Sequence, residues 1–299
     1  MTTVNEIFIA YQECLSHLYE PAELEQITLR AFEHCCSFSR ADLVLRKDEQ
    51  LSPDSITQLN QILHQLKGTK PIQYVLGYSW FMDHKFIVSP DVLIPRPETE
   101  ELVNWVLNDL KEFSKIKLNV LDLCTGSGCI PISLSLNNPD WLIAACDISE
   151  KALDIAVKNN EVLQSNVNFF QCDILKWKTG QSMSDFLKEL FGSTNNLDLI
   201  TSNPPYVLMK EKSAINERVL NHEPSIALFV PDEDPLIFYS EIAALASDSL
   251  RSGGRVVVEI NRDHAAGVID LFKKQNFSDI ILKTDINDNP RMISATLNY

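Results

Sequence analysis

Apolar residues recur at helical spacing in three segments near the amino terminus, and this pattern predicts a small bundle of helices. Ser52 followed by Pro53 marks the start of the third segment, and Gly68 marks its end. We expect the helices at Val4–Leu18, Ala22–Phe38 and Pro53–Lys67. Residues 1–70 are therefore interpreted as an all-helical domain.

The pattern changes to extended character after the bundle. Apolar residues within Ser79–Pro95, among them Phe81 and Phe86, predict a β-hairpin, and we interpret residues 71–97 as a linker. A helix at Glu98–Phe113 follows, with an acidic first turn that suits the helix dipole. It opens a second domain, which we place at residues 98–299.

Short apolar runs alternate with helical segments through this second domain, which is typical of an α/β fold with a mostly parallel sheet. The last two strands are close in sequence and are predicted to form an antiparallel edge. A further helix is expected at Ser182–Leu190. The expected strands are Asn119–Leu123, Leu142–Asp147, Val167–Gln171, Leu197–Ser202, Arg255–Ile260, Asp279–Thr284 and Met292–Leu297.

The first of these strands leads into a glycine-containing loop and then a helix, an arrangement that lets backbone N–H groups approach a polar ligand. Pro131 stands where a dinucleotide fingerprint needs its third glycine, so a dinucleotide is disfavoured. Asp147 ends the next strand, where a carboxylate can accept hydrogen bonds from ribose hydroxyls. The candidate cofactor loop consists of Cys124, Thr125, Gly126, Ser127 and Gly128.

Asn203, Pro204, Pro205 and Tyr206 follow the strand Leu197–Ser202 directly. The two prolines stiffen the loop and lack N–H donors, which leaves carbonyl oxygens free. The Asn203 side-chain carbonyl and the Pro204 backbone carbonyl can then hold a planar NH2 group, while Tyr206 can supply a flat wall. A plain turn would explain Asn-Pro alone, but the full tetrapeptide at a strand end is more specific.

Composition narrows the class of partner. The chain has 299 residues, 45% of them apolar, and a formal net charge of −15, without a basic stripe for nucleic acid. A protein with a basic surface is the better partner. The seven cysteines form no Cys-x-x-Cys pair and the six histidines show no metal-ligand spacing, so we expect reduced thiols and no metal. The absence of a signal-peptide pattern or a long apolar span predicts a cytoplasmic protein without membrane contact.

Together the glycine loop, Asp147 and the Asn203–Tyr206 tetrapeptide resemble seven-stranded, Rossmann-like S-adenosylmethionine methyltransferases. Two further segments, Pro71–Gly77 and Ile94–Glu100, resemble the release factor glutamine N5-methyltransferase family. The resemblance covers about residues 71–299, and it departs from the family at Cys124, where a glycine is usual. Further departures are Phe229–Leu236, Asn261 and His264.

The resemblance implies methyl transfer from S-adenosyl-L-methionine to the glutamine of the Gly-Gly-Gln motif in class-1 peptide chain release factors. It implies that Thr125, Gly126 and Gly128 contact the cofactor, that Asp147 binds ribose, and that Asp173 and Ile174 flank the adenine. Asn203 and Pro204 would hold the substrate amide, and the helical domain would recognise the release factor. A role for Asp173 as a helix cap stays equally open.

The sequence alone leaves two other functions open. An adenine-N6 or cytosine-N4 nucleic-acid methyltransferase would use the same acceptors on a flipped base, with Tyr206 stacking on its ring. The acidity of the chain counts against this. A non-catalytic scaffold that binds the cofactor is disfavoured because the acceptor loop is complete. We expect the chain to act as a monomer.

Overall fold

The computed structural model describes residues 2–108, 117–179, 181–285 and 287–298. The helices are α1 (Val4–Leu15), α2 (Pro21–Cys36), α3 (Arg40–Leu45), α4 (Pro53–Lys67), α5 (Ile72–Leu76), α6 (Pro97–Asn108), α7 (Cys129–Asn137), α8 (Glu150–Val162), α9 (Gln181–Phe191), α10 (Glu217–His222), α11 (Ile237–Ser249) and α12 (Ala265–Lys274). The strands are β1 (Tyr78–Phe81), β2 (His84–Ile87), β3 (Asn119–Leu123), β4 (Leu142–Asp147), β5 (Val167–Gln171), β6 (Leu197–Ser202), β7 (Val207–Leu208), β8 (Phe229–Val230), β9 (Leu250–Glu259), β10 (Phe277–Thr284) and β11 (Pro290–Leu297).

The chain forms two compact units. One contains residues 1–78 together with 216–222, and the other contains residues 79–215 and 223–299. In the first unit, the Tyr11 hydroxyl of α1 donates to the Leu59 carbonyl of α4 at 2.7 Å. The segment 216–222 joins this unit through Arg218, whose Nη1 lies 2.5 Å from the Glu23 carboxylate. No sequence pattern indicated that pairing, and the boundaries at residues 70 and 97 remain predictions.

The helices of the first unit agree with the predicted ones except at their ends. Helix α1 stops at Leu15 rather than Leu18, because the chain turns there and Leu18 N–H donates to the Leu15 carbonyl. Helix α2 stops at Cys36 because Ser37 adopts a left-handed conformation with φ of 57°. The short helices α3 and α5 were not predicted, since segments this short carry too little periodicity.

The second unit is built on a seven-stranded sheet with the order β10-β11-β9-β6-β3-β4-β5. The strands from β9 to β5 pair in parallel, and β11 pairs antiparallel with both β9 and β10. The prediction of a mostly parallel α/β sheet with an antiparallel edge is therefore confirmed. Strands β3, β4, β5 and β6 match their predicted bounds, whereas β9 begins at Leu250 rather than at Arg255. Its first residues, around Gly253 and Gly254, lack an apolar pattern.

The predicted hairpin is present but shorter than the segment assigned to it. Its two strands meet at a turn where Met82 and Asp83 have φ angles of 47° and 62°, and the Phe81 and Phe86 rings pack edge to face at 5.8 Å. An irregular segment follows Ile87 and leads to α6. Helix α6 starts at Pro97, and the predicted end at Phe113 lies outside the described residues. The parallel pair β7 and β8 was not predicted, because two-residue strands leave no periodic signal.

The loops that follow β3, β4 and β6 lie at the carboxyl edge of the sheet, where open α/β sheets bind their ligands. Layers of buried apolar residues flank the sheet, including Leu121 and Ile200 in one cluster and Val120 and Leu199 in another. Alternate residues of the same strands thus enter both layers. Among the described helices, none combines the length and apolar character needed to cross a membrane.

Candidate active site

A cavity runs along the carboxyl edge of the sheet in the second unit, and most of the predicted site residues line it. Gly128, Pro204 and Tyr206 lie outside that lining. The predicted residues that line the cavity are Cys124, Thr125, Gly126, Ser127, Asp147, Asp173, Ile174, Asn203 and Pro205.

The loop after β3 takes its shape from two left-handed residues. Cys124 has a φ of 57° and Gly126 a φ of 55°. A Cβ added at Gly126 would meet no atom within 4 Å, so this glycine borders open space rather than packed protein. The loop therefore presents bare backbone to the cavity at Gly126, as the sequence analysis expects of a cofactor loop.

Gly128 is a glycine for a different reason. It precedes helix α7 with a φ of 78°, and an added Cβ would lie 2.9 Å from Ile132 Cδ1 and 3.2 Å from Ala156 Cβ. The end of the Ile132 side chain would have to move, Ala156 would have to give by a few tenths of an ångström, and a residue with a Cβ is strained at this φ. Packing thus accounts for Gly128, and its predicted contact with the cofactor stays a prediction.

Asp147 organises the floor of the cavity. One carboxylate oxygen accepts from Gly126 N–H and the other from Ser149 N–H, both at 2.9 Å. Burial raises the pKa of Asp147, and these backbone donors oppose the rise. Ser149, not Asp147, caps α8 by accepting from Ala152 N–H at 3.2 Å. Each carboxylate oxygen keeps further acceptor capacity for a ribose hydroxyl.

Asp173 caps the short 3-10 helix Ile174–Lys176. Its carboxylate accepts from Leu175 N–H at 3.0 Å and lies 3.0 Å from Lys176 Nζ. The capping role that the sequence left open is thus present, while contact with an adenine remains a prediction for a residue that also borders the cavity.

Asn203 is held by a chain of side-chain hydrogen bonds. Its Nδ2 donates to Thr99 Oγ1 at 3.0 Å, and Thr99 Oγ1 donates to Glu259 Oε2 at 2.7 Å. Thr99 and Glu259 are only 2% and 1% exposed, so water does not compete for these bonds. Asn203 Oδ1 accepts no hydrogen bond from the part of the chain that the structure describes.

Tyr206 also bonds to Glu259. Its hydroxyl donates to Glu259 Oε1 at 3.0 Å, and burial together with the nearby carboxylate raises the pKa of Tyr206, which keeps the phenol protonated. Asn261, one of the departures from the family pattern, donates from Nδ2 to the Tyr206 carbonyl at 3.2 Å. The predicted role of Tyr206 as a wall for the substrate stays a prediction, because its polar tip has this other partner.

Sequence reasoning missed residues that hold the cavity in shape. Asn159, fully buried in α8, donates from Nδ2 to the Ser127 and Ile87 carbonyls at 2.9 and 3.0 Å and accepts from Ile87 N–H at 2.6 Å. It joins the cofactor loop to the residue that ends β2. A buried asparagine on an otherwise apolar helix face was the available signal.

Glu223 bonds to the segment that precedes α6. It accepts from Ile94 N–H at 3.3 Å and forms an ion pair with Arg96, which lines the cavity. Glu223 is 5% exposed, so the pair is largely removed from solvent on its acidic side. The segment Ile94–Glu100 and Glu223, which lie far apart in the sequence, are therefore joined in the structure.

Comparison with known proteins shows the family of this chain. Family models match the PrmC N-terminal domain at residues 13–77 and a methyltransferase domain at residues 114–284. The release factor glutamine methyltransferase of Flavobacterium psychrophilum is 39% identical over 286 residues, which span 95% of this chain and 96% of that protein. The chain belongs to the release factor glutamine methyltransferase family. The resemblance inferred from the sequence is confirmed.

A second relative supports the same assignment, and a solved structure shares the fold. The Bacteroides thetaiotaomicron release factor glutamine methyltransferase is 38% identical over 98% of this chain and 99% of its own length. A solved structure of the hMettl16 catalytic domain, in complex with MAT2A 3′UTR hairpin 6, covers 78% of this chain and 82% of that one, with a TM-score of 0.53 and 15% identity. At that identity the likeness concerns the fold, and it agrees with the predicted Rossmann-like methyltransferase architecture.

Proposed function

We propose that this member of the family transfers a methyl group from S-adenosyl-L-methionine to the side-chain nitrogen of the glutamine in the Gly-Gly-Gln motif of class-1 peptide chain release factors. The observation that carries the proposal is the orientation of Asn203. Its NH2 group is occupied by Thr99, so its carbonyl oxygen is left to accept a hydrogen bond from a ligand in the cavity. A side-chain amide is a ligand that offers such a donor.

The residues along the cavity fit the proposed cofactor. The bare backbone at Gly126 leaves room for close approach, and Asp147 can accept from ribose hydroxyls. Ile148 and Leu175 line the cavity and are 43% and 37% exposed, so they offer apolar faces to a flat base. When bound, the cofactor supplies an electrophilic methyl group on a sulfonium.

The task of the protein is to make a poor nucleophile react. A carboxamide nitrogen shares its lone pair with its carbonyl group, so it attacks only when it is held in line with the methyl group. Asn203 Oδ1 and the Pro204 carbonyl would accept from the two N–H bonds of the substrate. Positive charge builds on that nitrogen during transfer, and fixed carbonyl dipoles stabilise it more than they stabilise the neutral amide.

The charge of the chain and its cysteines bear on the partner and the compartment. The acidic charge of −15 favours a basic protein surface as partner, and we propose that the helical residues 1–70 contribute to recognising it. The described cysteines are all free thiols, which suits a reducing compartment such as the cytoplasm. Action as a monomer stays a prediction.

The test is methylation of a purified class-1 release factor with labelled cofactor, followed by peptide mapping. We expect label on the glutamine of the Gly-Gly-Gln motif and none on a release factor in which alanine replaces that glutamine. Asn203→Ala should lower kcat/KM by roughly 10²-fold with little change in cofactor affinity, because one of two acceptors is lost. Label on added DNA or RNA instead of the release factor would reject the proposal.

A further inference from the structure

The hydrogen bonds behind Asn203 form a chain that ends at a buried carboxylate. Asn203 Nδ2 donates to Thr99 Oγ1, Thr99 donates to Glu259 Oε2, and the Tyr206 hydroxyl donates to Glu259 Oε1. The chain joins the start of α6, the end of β9 and the loop after β6. The resemblance to the family assigns no role to Thr99 or Glu259.

The direction of this chain follows from the donor capacity of each group. An ionised carboxylate only accepts hydrogen bonds, so the single proton of Thr99 must point to Glu259. Thr99 can then only accept from Asn203, and the Asn203 amide must turn its NH2 group inward and its oxygen toward the cavity. A reversed chain would present NH2 to the cavity, where it would face the NH2 of a substrate amide.

Several contacts stabilise the carboxylate that sets this direction. Burial raises the pKa of Glu259, and the hydrogen bonds from Thr99 and Tyr206 together with the positive charge of Arg291 oppose that rise. The Tyr239 hydroxyl donates to the Glu259 backbone carbonyl at 3.2 Å and holds the end of β9. Thr99 and Glu259 are 2% and 1% exposed, so this end of the chain of bonds is closed to water.

We infer that Glu259 and Thr99 are positioning residues. They fix the orientation of the Asn203 amide so that its oxygen, and not its NH2 group, points into the active site. The inference rests on the proposed function, since it assumes that Asn203 accepts from a substrate NH2 group. Neither residue is expected to touch the substrate. Their effect is on the rate of transfer and not on cofactor binding.

The first experiment replaces Thr99 in two ways. Thr99→Val keeps the shape but removes both the donor and the acceptor, so Asn203 loses its anchor, and we expect kcat to fall by roughly 10-fold to 10²-fold. Thr99→Ser keeps the hydroxyl and should recover most of the rate lost in Thr99→Val. The affinity for S-adenosylhomocysteine, the demethylated cofactor, should stay within about threefold of the wild-type value in both variants when measured by calorimetry.

The second experiment tests the direction of the chain. In Glu259→Gln, a glutamine that keeps the bond from Tyr206 must give its NH2 to Thr99, because the opposite orientation would leave a buried Tyr206 proton without its acceptor. Thr99 then donates to Asn203, and the Asn203 amide turns over. We expect kcat to fall at least about tenfold. Glu241→Gln is the control, since Glu241 accepts from Trp177 Nε1 and, among the described residues, lies outside the chain of bonds.

Nuclear magnetic resonance detects the orientation of the Asn203 amide and needs no activity assay. The side-chain NH2 signal of Asn203, assigned by its loss in Asn203→Ala, should exchange slowly with water in the wild type and faster in Glu259→Gln. This measurement stands even if the release factor proves not to be the substrate, in which case only the proposed function fails.

The outcomes separate cleanly. A loss of kcat in Thr99→Val that Thr99→Ser recovers, together with faster Asn203 exchange in Glu259→Gln, supports the inference. A wild-type enzyme that methylates the release factor while Thr99→Val keeps the wild-type kcat overturns it, as does slow Asn203 exchange in a folded Glu259→Gln. If Glu259→Gln does not fold, the Thr99 pair decides alone.

Discussion

At the scale of single residues, the site is shaped by conformations and charges that the protein tolerates at a cost. Cys124 holds a left-handed conformation that costs a non-glycine residue about 1 kcal/mol or more. Its side chain packs against the buried apolar cluster that contains Leu121 and Ile200, which offsets part of that cost. Asp122, two residues earlier, is completely buried, and Thr201 Oγ1 donates to it at 2.6 Å.

Asp122 should make the stability of the protein depend on pH. Burial raises its pKa to about 7, so between the ordinary carboxyl range and pH 7 the folded state holds a proton that the unfolded state has lost. The stabilisation is complete below the unfolded pKa and disappears as pH rises through the folded pKa. The free energy of unfolding should fall by up to about 1.4 kcal/mol per pH unit in that window.

Urea unfolding at pH 5 and pH 8 checks this expectation. Asp122→Asn keeps the oxygen that accepts from Thr201 but does not ionise, so its unfolding free energy should improve relative to wild type as pH rises. Asp154→Asn, the same change at an exposed position of α8, provides the control. Parallel pH profiles for wild type and Asp122→Asn would show that the buried carboxyl does not titrate in this range.

At the scale of secondary-structure elements, polar side chains determine how the loops of the site are joined. Asn159 of α8 bonds to the end of β2 and to the cofactor loop, and Glu223 bonds to the segment that precedes α6. The strands themselves are held by apolar burial on both faces of the sheet. Loss of the hydrogen bonds made by Asn159 or Glu223 should therefore disturb the loops of the site more than the strands of the sheet.

The variant Asn159→Asp tests the hydrogen bonds of Asn159. The change places a carboxylate oxygen against the Ile87 and Ser127 carbonyls, so the unfolding free energy should fall by roughly 2 to 4 kcal/mol, as expected when buried acceptors lose their donor. Cofactor affinity should fall as well, because Ser127 belongs to the loop. Chemical unfolding and calorimetry measure the two effects.

The neighbouring asparagine is the control for that change. Asn160 mainly accepts, from Ser165 Oγ at 2.5 Å and from Val167 N–H at 3.1 Å, and an aspartate can do the same. Asn160→Asp should therefore cost much less stability. Equal losses at the two positions would mean that added charge, and not the lost donor, explains the effect.

At the scale of the whole molecule, charge is the property most relevant to the proposed partner. The chain carries 41 acidic and 26 basic residues. Such an excess attracts a basic protein surface over distances set by the ionic strength. This long-range attraction acts on the encounter more than on the final complex.

We therefore expect the association rate with a class-1 release factor to fall by roughly tenfold as salt is raised from low to well above physiological concentration. The dissociation rate should change much less. Surface plasmon resonance across a salt series measures both constants. An association rate that does not depend on salt would argue against electrostatic attraction between the two proteins.

The sequence by itself determined the sheet and most of its helices. Mostly apolar runs such as β3 and β6 indicate strands that are buried on both faces, so their bounds follow from the local pattern. The candidate cofactor loop and Asn203 were predicted as site residues for a related reason, since short stretches of glycine and proline constrain the backbone locally.

Only the tertiary structure decided which residues support those motifs. Thr99 and Glu259 are 160 positions apart, and Arg96 and Glu223 are 127 apart, so no local pattern could pair them. Local pattern also could not tell why glycine stands at Gly126 and at Gly128. Gly126 borders open space, whereas Gly128 borders packed helices. Hydrogen-bond direction depends on every partner in a buried chain, and those partners meet only when the sheet and its helices have formed.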